Sequence, residues 1–224
     1  MSDTTALSEF EKLVSIDVIG CGTGLLTYNT RQSIIDFCDQ TWILTKDINY
    51  TVSSSDIEDE INDYVDFDLA EYVSNSRPLG VLRLFIAGSE YVARYAEIVN
   101  DITEFDTVMG TSVKLFSFPD NDTIRIYNLT TADTPIYLRI AFKPSQTATT
   151  VESVLFEDWV EPIVSGAKYK LQAMPNKSWS DPESAAFNRS VFKQGMASAK
   201  AKMNKGFSKR STYVQPKSFG QPNW

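Results

Sequence analysis

Ile136-Tyr-Leu-Arg-Ile-Ala-Phe-Lys-Pro144 and, shortly after it, Val154-Leu-Phe-Glu-Asp-Trp-Val-Glu-Pro-Ile-Val-Ser-Gly-Ala-Lys-Tyr-Lys-Leu-Gln-Ala-Met174 carry different periods. In the first stretch Ile136, Leu138, Ile140 and Phe142 alternate with other residues, the period of a strand with one face buried. The second reads as a helix interrupted early by Pro162, a residue that the first turn of a helix accepts. The period therefore switches at Pro144, and everything upstream and downstream can be sorted against that boundary.

Upstream, the chain is rich in strand signals. Val113–Phe118 and Ile124–Leu129 flank Pro119-Asp-Asn-Asp122, a strand–turn–strand pattern. Val81–Ala87, Gly88-Ser89 and Tyr91–Tyr95 read as a hairpin. Val65, Phe67 and Leu69 alternate, as do Ile48, Tyr50 and Val52. Before them, Asn29 or Thr30 can cap a helix over about 29–43, in which Ile34, Ile35, Cys38 and Trp42 recur at helical spacing.

Downstream, Pro175-Asn176 stops the long helix. Trp179-Ser-Asp-Pro-Glu183 opens another, with Ser180 or Asp181 as cap and Pro182 at the first helical position. It runs to about Lys205 and stops at Gly206. Strands segregated from helices predict an α+β fold. A helical portion, the N-terminal helix plus two C-terminal helices over 154–205, packs at one end of an antiparallel β domain over 43–144. Residues 1–28 form a lead, 29–206 one domain, and 207–224 an extended C-terminal arm. Trp42, Trp159 and Trp179 are expected to be largely buried at the helical layer.

Composition excludes several chemistries. The 224 residues include no histidine, so one copy has no Ser-His-Asp triad, Cys-His pair or histidine-containing zinc site. Cys21 and Cys38 are too few for a disulfide scaffold and are expected to be free thiols. The first residues show no basic start followed by an apolar stretch, and no apolar run reaches the roughly 18 residues of a membrane-spanning helix. No Gly-Lys-Ser/Thr loop, Gly-x-Ser-x-Gly elbow or His-Glu-x-x-His motif occurs. The expectation is a non-enzymatic protein without cofactor or metal.

Charge is unevenly distributed. Of 21 basic and 29 acidic side chains, eight basic and no acidic ones lie between Ser184 and Trp224, leaving the first 183 residues at net −16. The acidic stretch Asp56–Asp68 lacks the glycine that a calcium loop needs, and reads as a solvated loop or a wall facing a polyanion. The last residues combine breakers (Pro216, Gly220, Pro222), spaced aromatics (Phe207, Tyr213, Phe219, Trp224) and cations (Lys209, Arg210, Lys217). An inert tail has few aromatics, so this one is predicted to order against a partner. Fully extended it could span roughly 60 Å.

Val18-Ile-Gly-Cys-Gly-Thr-Gly-Leu-Leu26 has the glycine spacing of the first motif of S-adenosylmethionine methyltransferases. That motif needs a strand running into the turn within an alternating α/β order, and here β follows β from Ile43 to Phe142. A plain glycine turn ahead of the first helix is the expectation.

Three stretches carry a family resemblance: Arg31-Gln-Ser-Ile-Ile-Asp-Phe-Cys-Asp-Gln-Thr-Trp42, Glu161-Pro-Ile-Val-Ser-Gly-Ala through Met174-Pro-Asn-Lys-Ser-Trp-Ser-Asp-Pro182, and Phe192-Lys-Gln-Gly-Met-Ala-Ser-Ala199. Together they resemble the head-to-tail adaptor (connector) proteins of tailed bacteriophages, the group that includes tail tubular protein A. Asn176 stands where the family pattern has glycine, the β region matches by arrangement only, and the acidic stretch has no counterpart. The resemblance implies a structural virion protein at the head–tail junction, assembled in the host cytoplasm. Copies would form a ring, a dodecamer in the family, beneath the portal protein and above a downstream tail protein (nozzle or tube/terminator). Double-stranded DNA would pass through it without specific binding, past an acidic lumen, and no membrane is involved. Phe207, Lys209, Arg210, Tyr213, Lys217, Phe219 and Trp224 would then be the portal-binding residues. The alternatives are another tail-completion or fibre-anchoring virion protein, or the methyltransferase.

Overall fold

The computed structural model describes residues 3–53, 64–73, 75–90, 92–93, 115–117, 122–127 and 133–204. The fold is α+β. Four helices are described: α1 (Leu7–Ser15), α2 (Thr23–Thr41), α3 (Val154–Gln172) and α4 (Pro182–Asn204). The strands are β1 (Thr4–Ala6), β2 (Thr45–Thr51), β3 (Tyr64–Asp68), β4 (Ser76–Ile86), β5 (Ser89–Glu90), β6 (Val92–Ala93), β7 (Leu115–Ser117), β8 (Thr123–Tyr127), β9 (Pro135–Pro144) and β10 (Thr150–Glu152).

Two four-stranded sheets, ordered β2-β9-β4-β5 and β3-β8-β7-β6, carry the β region. Alternation decides their faces. Ile136, Leu138 and Ile140 of β9 are buried with Ile48, Leu84 and Ile86, and Val65, Phe67, Phe116, Ile124 and Ile126 are buried in the other sheet. All belong to one core, and Tyr50 meets Phe67 edge-to-face at 4.8 Å between ring centroids. The expectation of a wholly antiparallel region needs one correction: β6 and β7 pair in parallel, Val92 opposite Leu115. Such a pair needs a long crossover, and the residues that connect β6 to β7 lie outside those described. The alternation of Val65 and Phe67 is borne out at the end of the acidic stretch, where residues 64–68 form β3 with those two side chains buried, while 56–63 lie outside the described residues.

The helices pack at one end of the sheets, where α2 leads into β2 and α3 follows β10. The N-terminal lead is not irregular: β1 pairs with β10, and α1 buries Leu7, Phe10 and Val14. Helix α2 starts at Thr23 rather than near Asn29, and ends at Thr41. Asn29 is no cap, because its amide donates to the Leu25 carbonyl one turn back at 2.8 Å and is satisfied inside the helix. Helix α3 breaks at Trp159, whose φ of −132° is not helical. Pro162 thus stands in the first turn of the segment after the break, where its missing N–H costs no hydrogen bond. Asp181 caps α4, accepting from the Glu183 and Ser184 amides at 3.1 Å each. Of the three tryptophans only Trp159 is buried; Trp42 and Trp179 are half-buried. Trp42 is left-handed at the end of α2 (φ 54°), which turns its indole over Gly80 at the rim of the sheet rather than into the bundle.

Candidate functional site

The bundle is built on two unusually close helix crossings. A Cβ on Gly166 of α3 would overlap Ser33 Oγ of α2 and stand 2.7 Å from Phe192 Cδ2 of α4. A Cβ on Gly195 of α4 would overlap the Pro162 ring of α3. Ser33 Oγ donates to the Ile163 carbonyl at 2.6 Å, so even the hydroxyl at this crossing is satisfied. Phe37 packs against Trp159 and Phe192 at centroid distances of 5.6 and 6.2 Å. Five consecutive residues of α3, Ile163–Ala167, are buried, so this helix is covered on more than one side. Lysines tie the layers: Lys170 to Asp36 at 2.5 Å, Lys168 to Asp17 at 2.6 Å and Lys202 to Asp158 at 2.8 Å.

Ser33 lies in the first of the three stretches quoted above, Pro162 and Gly166 in the second, and Phe192 and Gly195 in the third. Asn176, in the turn after α3, has a φ of 59°. Asparagine is among the non-glycine residues that adopt that conformation most readily, so it accommodates the turn.

The seven residues assigned to portal binding, Phe207, Lys209, Arg210, Tyr213, Lys217, Phe219 and Trp224, all lie outside the described residues. The root of the arm is described. Lys202, in the last turn of α4, sits 5.4 Å above the Trp159 ring while bonded to Asp158. The chain therefore leaves α4 beside the break in α3, at the end of the bundle that faces the sheets.

The glycine turn lies at the opposite end, between α1 and α2, and no strand runs into it. Gly20 is left-handed (φ 87°), and its Cβ position stands 3.4 Å from Ser178 Oγ in the α3–α4 turn. Cys38 is fully buried, and burial pushes its thiol well above the usual range, with Asp39 adding to the shift. Burial also raises the Cys21 thiol. Neither is a thiolate at neutral pH, and both are unpaired. Among the described residues no group of three or more His, Cys, Asp or Glu side chains converges on a metal position. No described helix is long and apolar enough to cross a membrane.

On the outer face of the first sheet Asp47 and Arg139 form a two-pronged ion pair across β2 and β9, at 2.5 and 2.7 Å. The hydrogen bond from Arg139 holds the Asp47 carboxyl below its usual range and raises the guanidinium further. Beyond it, Asn49, Phe85, Pro135 and Tyr137 line a shallow depression of about 380 Å³. It holds no acid–base pair.

Sequence reasoning missed the surface features of the bundle. Ile16 and Ile19, after α1, are 65% and 80% exposed, and Phe187 on α4 is 69% exposed. The Leu7–Phe10–Val14 spacing is the signal that would have placed α1. Nothing local distinguishes Phe187 from a core residue. No family model matches the chain, and no curated protein is similar to it in sequence.

Proposed function

We propose that this chain is the repeating subunit of a head-to-tail adaptor ring in a tailed bacteriophage, connecting the portal to the tail around the DNA channel. One observation carries the reading. All three resembling stretches meet at close contacts of the bundle, Gly166 against Ser33 and Phe192, and Gly195 against Pro162. Close crossings constrain sequence through shape, so a shared pattern there supports a shared helical layer. The fold order and the strongly acidic body, which would repel a passing duplex, support it further.

The reading makes the protein a structural part. Calorimetry with S-adenosylmethionine should then show no binding heat, and micromolar binding abolished by Gly22→Asp would overturn it. The principal test is mass. Mixed with the portal of the same virus, the 25.2 kDa chain should assemble into a ring of about 300 kDa if twelve copies close. A chain that stays monomeric with and without portal defeats the proposal. In this reading residues 207–224 dock on the portal, with the aromatics as anchors and Lys209, Arg210 and Lys217 steering the approach. Deleting 207–224 should abolish recruitment to the portal and leave the melting temperature unchanged. Undiminished recruitment would remove the arm from the interface.

A further inference from the structure

The outer face of the first sheet differs in character from the acidic chain that carries it. Strand β9 is regular there, so Tyr137, Arg139, Ala141 and Lys143 share that face. Strand β4 lies against it with two bulges, at Leu79 and Leu82. Residues three apart on a regular strand point to opposite faces. The two extra residues bring Arg77, Gly80 and Arg83 to one face, opposite Lys143, Ala141 and Arg139, and Phe85 follows opposite Tyr137. Bulges are over-represented beside functional sites, where they re-aim a side chain.

Two rows of this face are like-charged. Arg77 stands opposite Lys143 and Arg83 opposite Arg139, an arrangement that destabilises a sheet unless anions offset it. Three of these cations have a carboxylate of the chain nearby: Asp47 pairs with Arg139, Asp39 pairs with Lys143, and Asp122 lies 3.9 Å from Arg77. Arg83 is exposed and has no acidic partner among the described residues. In a chain of net charge −8, an uncompensated arginine beside a second arginine marks a place for an anion from outside the subunit.

Aromatic rows flank that place. On one side Phe85 and Tyr137, both half-buried, stand 6.1 Å apart with their rings tilted by 52°, and they border the depression of about 380 Å³. On the other side Trp42 lies over Gly80, where a Cβ would stand 3.1 Å from the indole. Alternate residues of a strand are about 6.8 Å apart, so along β9 the aromatic and cationic rows follow one another at that step. The step is of the order of the separation between a nucleobase and its own phosphate. A planar ring beside an anion at that separation is the chemistry of a nucleotide. An acidic polypeptide supplies the anion without the ring, and the bases of a duplex are already stacked and paired, whereas those of a single strand are open to an aromatic surface.

We infer that the outer face of the first sheet is a binding platform for single-stranded nucleic acid, with a base against Phe85 and Tyr137 and a phosphate on Arg83. The inference goes beyond the ring reading and does not depend on it. Stacking makes the platform tolerant of base sequence, and the phosphate contact makes it sensitive to salt.

The test is fluorescence anisotropy of a labelled short oligothymidylate titrated with the full chain. Wild type should bind it, and raising salt from about 50 to about 200 mM should weaken binding about three- to sevenfold, as for one or two phosphates. Arg83→Gln should weaken binding about tenfold or more and flatten the salt dependence, and Arg83→Lys should restore most of both. Phe85→Ala should weaken binding about fivefold or more and leave the salt dependence unchanged. Arg83 is exposed, so its variants keep the melting temperature of wild type and decide the matter even if Phe85→Ala unfolds. The C-terminal cations are the same in every variant, so a difference between variants reports the sheet face. A wild type that does not bind, or an Arg83→Gln that binds like wild type, overturns the inference. So does a duplex or a polyglutamate bound as tightly as the single strand.

Discussion

The helical bundle and the sheets bury their apolar residues in different ways. In the sheets each strand contributes alternate residues to one core, and the outer faces are stitched by exposed or half-exposed pairs such as Asp47–Arg139 and Asp66–Arg125. Many sequences satisfy such a pattern, since any β-branched or aromatic residue fits a pleated inner face. In the bundle, backbones approach so closely that Gly166 and Gly195 have no acceptable substitute with a Cβ. Sequence is therefore more tightly constrained by shape at these crossings than on the sheets.

Substitutions can break or sharpen this contrast. The largest effect is expected at the centre of the bundle. Phe37→Ala empties the space between Trp159 and Phe192 and should cost about 3–5 kcal/mol, read from denaturant unfolding. Next comes Gly166→Ala, which inserts one methyl group against Ser33 and Phe192 and should cost about 1–3 kcal/mol. Its control is Gly24→Ala in the first turn of α2, where nothing lies within 4 Å of the Cβ position; it should be neutral or slightly stabilising. If Gly166→Ala behaves like Gly24→Ala, the close crossing is not a constraint and the argument from shared pattern fails with it.

A smaller loss is expected from Asp181→Ala. It removes the acceptor for two amides at the start of α4 and should lower the melting temperature slightly, with Asn at the same position restoring most of it. The smallest effect belongs to the sheet surface. Asp47→Asn should cost about 0.2–1 kcal/mol near neutral pH, because both partners are 43% exposed and salt screens them. The sign follows from the lowered Asp47 carboxyl. Its contribution is fully present above the ordinary carboxylate range near pH 4 and disappears as pH falls through the folded-state value below it. Unfolding curves of wild type and Asp47→Asn should therefore converge in acid. Curves that stay parallel would mean that the pair contributes through packing, not charge.

Much of this organisation is legible in local pattern. The change of period at Pro144, the Asp181-Pro182 start of α4 and the Pro162 first turn can each be read from a few neighbouring residues. The beginning of α2 cannot. Asn29 carries the chemistry of a cap, and only its bond to the Leu25 carbonyl reveals that the helix is already under way. Which apolar side chains of α4 stay exposed was less legible still. Phe187 and Phe192 are both phenylalanines of one helix; one is 69% and the other 6% exposed. The difference lies in which side of α4 meets Gly166, a residue more than twenty positions away.

The sequence by itself determined the α+β order, the boundary between strands and helices, the absence of histidine chemistry and the segregation of positive charge toward the C-terminal end. These follow from periodicity, composition and capping, which act over a few residues and need no partner. Only the tertiary structure decided that α1 exists as a packed helix, that β6 and β7 run parallel, and that Trp42 lies over Gly80 instead of in the bundle. It also decided that Ile16, Ile19 and Phe187 stand exposed. The physical reason is that a local pattern gives each helix a stripe but not the neighbour that covers it. That choice is made where Ser33, Gly166 and Phe192, from three separate parts of the chain, come within contact distance.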